Sequence, residues 1–322
     1  MRSAVALLLA LGCGTPDPSL PIDSAEPDVA IDADTRVLLS QQGLYADIAT
    51  ETLAAGVTEY QPAYELWADG AVKTRWILLP PGTSIDMTDM DRWRFPVGTK
   101  LFKQFVVGGK RVETRVLHHV AEGDREDGWF MGAFLWNEDG SDAVFVQEGA
   151  KDALGTEHDV PRAVKCWDCH EGEPGRVLGF SAMQLSHAGP GPTTMELAGA
   201  SFPMPGDATT AAAYGYLHAN CGTCHNPVGP GFKDVDLIMR LDVAETDPLT
   251  ARIHMTTANA ALTRWLVPPY TARMVPGDAS MSAIVARMNT RGPSSLDQMP
   301  PLTTEVIDDA GVVAVTAWID GL

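Results

Sequence analysis

The sequence predicts an α+β, multidomain chain in which an N-terminal antiparallel β-sandwich-like domain is followed by an all-α domain. Three observations carry that prediction. Residues 41–160 hold short runs in which charged and β-branched residues alternate with period two. Near Pro161 the alternation stops, and Ala, Gly, Pro and Met take over. Two later stretches, Asp207–Asn220 and Asp308–Ile319, have a capping Asp ahead of residues with helical spacing.

The first residues read as an export signal. Arg2 is the positive flank, and Ala4–Leu11 is an apolar run far short of the roughly 20 residues that span a bilayer. Gly12-Cys13 follows, an order that resembles a bacterial lipoprotein signal with Cys13 as the lipidated residue, although Ala10 stands where such signals usually have Leu. The resemblance implies residues 1–13 as signal and a periplasmic or cell-surface lipoprotein. Gly14, in place of Asp, points to outer-membrane anchoring. Stable anchoring takes more than one acyl chain. Residues 14–40, rich in Pro, Asp, Ser and Ala, read as a disordered tether.

In the β-rich domain, Arg111–Val116 (RVETRV) is the clearest strand. Similar runs lie at Thr74–Leu79, Leu101–Val107, Gly128–Trp136 and Ala143–Val146. Turn residues divide them at Pro80-Pro81-Gly82, Gly108-Gly109 and Asp139-Gly140. Trp67, Trp76, Trp93, Trp129 and Trp136 read as packing. Asp86, Asp89 and Asp91 do not have the spacing of a Ca²⁺ loop and read as a solvated turn.

The cysteines carry the chemistry. There are five. Cys13 belongs to the signal, and the other four form two C-x-x-C-H motifs, Cys166-Trp-Asp-Cys169-His170 and Cys221-Gly-Thr-Cys224-His225, leaving none for a disulfide. In such a motif each thiol adds to one vinyl group of a haem, and the adjacent His supplies the proximal nitrogen to the iron. The motifs therefore predict two covalently attached haem c groups, with Cys166, Cys169, Cys221 and Cys224 binding the cofactor and His170 and His225 ligating the metal. A zinc site fits poorly, because zinc ribbons separate their Cys pairs by roughly 15–20 residues. A redox dithiol leaves the repeated His unexplained.

The second motif has the fuller setting. The helix before it places Ala213 and Leu217 on one face, and the last helix offers Val312, Val315, Trp318 and Ile319. Met299, before Pro300, stands where a distal thioether is expected. The first motif, within residues 161–205, falls at a seam between domains. Its distal ligand is open among Met183, His187, Met195, Met204, His118, His119 and an unfilled position.

The segments ELWADGAVKTRWILLPPG (65–82), WRFPVGTKLFKQF (93–105), RVETRVL (111–117), RVLGFSAMQLS (176–186), YLHANCGTCHNP (216–227), VPGDASMSAI (275–284) and MPPL (299–302), together with CWDCH, resemble a family of exported bacterial di-haem c-type cytochromes. The resemblance implies an N-terminal β-rich region joined to a C-terminal cytochrome c-like domain, here residues 206–322, and electron transfer as the activity. The alternative is a di-haem peroxidase-type enzyme with one open iron, but such enzymes separate their motifs farther and lack a large β-region. The net charge of −19 argues against a nucleic-acid partner, since binding phosphate takes clustered Lys and Arg. It leaves a redox partner protein, a dehydrogenase or another cytochrome, and a membrane reached through the lipid anchor.

Overall fold

The computed structural model describes residues 37–123, 127–173, 175–186, 201–292, 294, 297–302 and 304–322. Cys13, His187 and Met195 fall outside them. The described residues belong to one compact unit.

Among the described residues eight strands come first: β1 (Tyr45–Asp47), β2 (Thr52–Leu53), β3 (Val57–Glu59), β4 (Val72–Leu78), β5 (Lys100–Val107), β6 (Lys110–His119), β7 (Trp129–Trp136) and β8 (Ala143–Phe145). β3 to β8 form one antiparallel meander in sequence order, and β1 pairs only with β2. Period-two alternation gives the sheet two unlike faces. Trp76, Phe102, Val116, Phe134 and Trp136 lie on the outer face, where the chain from Leu39 to Tyr45 meets them. Tyr45 Oη donates to Gln104 Oε1 (3.1 Å) and Lys100 Nζ to the Gln42 carbonyl (2.9 Å). The inner face carries two cross-strand rows. Ile77, Leu101, Leu117 and Met131 are paired in register and apolar; Arg75, Lys103, Arg115 and Ala133 form the neighbouring row.

Seven helices follow: α1 (Cys166–His170), α2 (Ala182–Leu185), α3 (Ala208–Asn220), α4 (Phe232–Val235), α5 (Arg252–Thr257), α6 (Ala283–Met288) and α7 (Asp309–Asp320). Only α3 and α7 exceed two turns. Asp207 caps α3 by accepting from the Thr210 N–H (2.9 Å), and Asp308 caps α7 through Gly311 N–H (3.1 Å). Ala213, Tyr214 and Leu217 pack with Val315, Trp318 and Ile319, and Tyr214 meets Trp318 edge to face at 5.1 Å. Gly311 permits this approach, since a Cβ there would lie 2.2 Å from the Tyr216 ring.

The predicted fold class is therefore corrected on both halves. The β-region is one six-stranded sheet, with the small β1–β2 pair beside it, and the inner face of the large sheet is covered by helical and irregular chain, so no sandwich forms among the described residues. The C-terminal part is not an all-α, cytochrome c-like domain. Between α3 and α7 the helices run four to six residues, separated by stretches that include Pro268-Pro269 and isolated bridges such as Ala258 to Met274. Proline cannot donate to a helix and restricts the residue before it, which breaks the periodicity that α3 and α7 keep.

Residues 175–186 pack on the inner face of the sheet. Phe180 lies against Tyr60, Trp93 and Phe95 with ring centroids 4.4, 6.2 and 5.3 Å away. Asn220, at the end of α3, accepts from Trp67 N–H (2.7 Å) and donates to the Glu65 carbonyl (3.1 Å). Asp69 accepts from Thr304 Oγ1 (2.7 Å) and from the N–H groups of Glu305 and Val306.

Gly215 lets α3 approach the Tyr64 ring, because a Cβ there would stand 2.0 Å from Cε1. Gly215→Ala is expected to lower stability by about 1–2 kcal/mol in denaturant titration, overpacking outweighing the ~1 kcal/mol of helix propensity gained.

Candidate haem-attachment site

The first motif occupies α1, entered through a 3-10 turn at Ala163–Lys165. Cys166 and Cys169 are three apart on this turn of helix, so their side chains share a side. His170 follows. Its Nδ1 lies 2.6 Å from the Arg176 carbonyl oxygen, which makes Nδ1 the protonated nitrogen and leaves the lone pair on Nε2. Among the described residues Nε2 has no hydrogen-bond partner. The carbonyl is aimed by a reverse of the chain at Arg176, whose φ of 61° is the left-handed region, and the Arg176 guanidinium holds the turn by donating to the Glu171 carbonyl.

The second motif begins at the C-cap of α3. Cys221 N–H still donates to Leu217 O (2.9 Å), and one further turn closes with His225 N–H on Cys221 O (2.8 Å). Gly222 is needed here, since a Cβ would lie 2.4 Å from the His218 carbonyl. His225 is buried, its ring lies against Gly231, and its Nδ1 is a buried polar atom without a partner among the described residues. Burial, with Arg287 and Arg273 nearby, pushes its pKa down to about 4. Met299 is half-buried, and its N–H donates to the Arg287 carbonyl at 3.0 Å. Its loop and His225 thus share Arg287 as a neighbour.

The two motifs touch. A Cβ on Gly172 would stand 1.9 Å from Thr223 O, so only glycine lets the turns meet. Asn226, 2 % exposed, joins them by donating from Nδ2 to Gly172 O (3.0 Å) and Gly222 O (2.7 Å). Cys224 Sγ lies 3.7 Å from Asp168 O.

The four cysteines are free thiols. Burial pushes Cys166 up to about 11, Cys169 and Cys221 up to about 12, and raises Cys224 as well. A redox dithiol needs a lowered pKa, so that chemistry is disfavoured. Among the described residues no three His, Cys, Asp or Glu side chains are grouped to hold a metal ion.

Cys166, Cys169 and His170 line a cleft that is partly open to solvent. Leu101, Leu117, Val177 and Phe180 supply apolar wall, and Arg75, Lys103, Arg115 and Arg240 supply positive charge. Arg240 is ion-paired to buried Glu173. A flat, apolar macrocycle with two acidic side arms fits this lining: paired thiols, a histidine with a free lone pair, apolar wall and cations.

Of the distal candidates for His170 among the described residues, Met183, Met204, His118 and His119, none lines that cleft. Met183 and Met204 are buried with Tyr214 and Leu217 in the helical core. His119 is stacked on Trp129 at 4.5 Å with Nδ1 on the Phe95 carbonyl, and His118 is paired in β6 between Lys100 and Phe130. His218 does line the cleft, but its Nδ1 accepts from Leu241 N–H (3.1 Å), so its proton is on Nε2, the tautomer of a donor. Sequence reasoning missed Asn226, Gly172, the Arg176 carbonyl and the cationic row. Only the strand alternation around Arg75, Lys103 and Arg115 gave a signal for any of them.

Burial, with Arg240 nearby, drives His218 from 6.5 to about 3. An unfolded chain protonates this ring below 6.5 while the folded one does not. Its contribution is therefore complete above pH 6.5 and is lost as pH falls from there towards 3, at about 1.4 kcal/mol per unit. Melting curves against pH are expected to show this loss, with a shallower acid slope in His218→Gln. Comparison of the chain with protein-family models, with curated proteins and with solved structures gave no match.

Proposed function

We propose that this protein is an exported di-haem c-type cytochrome that transfers electrons, holding one haem at Cys166, Cys169 and His170 and the other at Cys221, Cys224 and His225. The observation that carries the proposal is the direct contact of two C-x-x-C-H turns, stapled by Asn226, each with two free, partly buried cysteines. Haem bound at both sites supplies reversible one-electron chemistry.

The chain's own residues do the rest. Cys166 and Cys169, on one side of a helical turn, fix the position of the macrocycle. His170 offers Nε2 because its Nδ1 proton is held by the Arg176 carbonyl, an arrangement that orients the ring and raises its basicity as a ligand. His225, buried and neutral, would offer a nitrogen from the second turn, and Met299 is the proposed thioether ligand of the same haem. Gly172 and Asn226 keep the two attachment turns in contact, which shortens the path between the centres. Cys13 is the proposed lipid anchor, and no described helix is long and apolar enough to cross a membrane. A dehydrogenase or another cytochrome is the proposed partner.

One observation favours a second reading. Among the described residues no methionine or lone-pair histidine besides His170 lines the first cleft, an arrangement compatible with an open iron and peroxidase-type catalysis there.

A pyridine haemochrome assay on the purified holoprotein is expected to count two covalent haems, and one in Cys166→Ala/Cys169→Ala; a count of zero ends the proposal. Met299→Ala is expected to abolish a Met-to-iron charge-transfer band. Fast cyanide binding at one iron selects the enzyme reading, and its absence at both selects electron transfer.

A further inference from the structure

Arg75, Lys103 and Arg115 are directly opposite one another on β4, β5 and β6, and all three line the cleft of His170. Like charges in cross-strand register destabilise a sheet. Lys73 adds a fourth cation on the same face of β4. Two carboxylates answer them. Glu65 takes Lys73 (3.1 Å) and Arg75 (3.3 Å). Glu113, fully buried, takes Arg115 (2.6 Å) and also His158 (2.8 Å). Lys103 has no ion pair or hydrogen bond among the described residues; its ammonium stands 4.9 Å from the centroid of Phe105, whose ring the Arg115 guanidinium also covers at 4.5 Å. Burial, and then Arg75 and Arg115, hold the Lys103 pKa well below its usual value.

The chain has 42 acidic residues against 23 Lys and Arg, so acids are not scarce, yet Lys73, Arg75, Lys103 and Arg115 share only two ion-paired carboxylates among the described residues, Glu65 and Glu113. Beside it on the same face runs the apolar row of Ile77, Leu101 and Leu117. The cleft floor is thus amphipathic, one strip apolar and the next cationic, at the wall that carries Cys166, Cys169 and His170.

We infer that the Arg75–Lys103–Arg115 row is a binding site for a pair of carboxylates, and that, resting on the haem reading above, it takes the two propionates of the haem attached at Cys166 and Cys169. The two carboxylates add to Glu65 and Glu113 as partners for these cations. The macrocycle between them and the thioethers covers the apolar row. Lys103 is the residue whose charge the ligand completes, and Arg75 and Arg115 are held in place for it by Glu65 and Glu113.

The test uses the mature full-length protein and its Lys103→Met variant, which removes a like charge and is expected to melt no lower than the parent. Haem count is read first and judges the haem reading alone. With both haems attached, Lys103→Met is expected to lower the midpoint potential of one haem and shift a propionate bending band in the resonance Raman spectrum, while Lys110→Met, on exposed strand, changes neither. If Lys103→Met also changes neither, the propionates lie elsewhere and the inference falls while the haem reading stands. Calorimetric titration with succinate separates the sources of carboxylate. The holoprotein is expected to bind none; saturable binding that weakens about tenfold in Lys103→Met assigns the row to a free dicarboxylate and overturns the propionate assignment. If the parent carries no haem at Cys166 and Cys169, the same titration decides the carboxylate site by itself: binding weakened by Lys103→Met supports it, and no binding overturns it.

Discussion

The side-chain amide of Asn226 bonds at once to Gly172 of the first C-x-x-C-H turn and to Gly222 of the second. Much of the architecture can be understood as what is needed to keep that amide dry. Its donors are buried at 2 % exposure, and a buried amide with a lost partner costs about 1–3 kcal/mol. The first turn must therefore be pressed onto the second from the side of the sheet, and Phe180, Val177 and Trp167 do so by packing with Trp93 and Leu101. The second turn must be held from the other side, which the α3–α7 pair does through Leu217 and Trp318. Buried Glu173 and Arg240 then close the joint, with Arg240 also donating to Asp91 O at 2.7 Å. Sheet and helices are not separate bodies that happen to carry one motif each.

This arrangement explains what could and could not be read from the sequence. The strands were legible because a sheet with two unlike faces writes its period into the chain: RVETRV falls within β6 with Val112 and Val116 fully buried. α3 and α7 were legible from their capping aspartates. The sandwich was not there, because alternation reports only that two faces differ; it does not say whether the covering layer is a second sheet or, as here, residues 175–186. The all-α reading of the C-terminal part failed because two helices with strong caps were extrapolated over a stretch rich in Pro and Gly.

The motifs themselves were plain, but their contact was not. About fifty residues lie between them, and the contact depends on two glycines and one amide that have no distinctive spacing. The cationic row shows the same limit in another form. KTRW, LFKQF and RVETRV each display one or two cations in an ordinary strand pattern. Only the register that pairs Arg75 with Lys103 and Lys103 with Arg115 turns three unremarkable residues into one site.

The same row bears on how the molecule meets its surroundings. A net charge of −19 describes the whole chain, but Lys73, Arg75 and Arg240 are buried. The interior at the first motif is positive where the exterior is negative. On the electron-transfer reading, an anionic cofactor is drawn inward by the one field and a cationic partner outward by the other, and the second attraction weakens with salt because it acts through solvent. Burying like charges in register is a cost that surface acids cannot repay at this distance. That the fold keeps it argues that the compensating carboxylates come from the ligand.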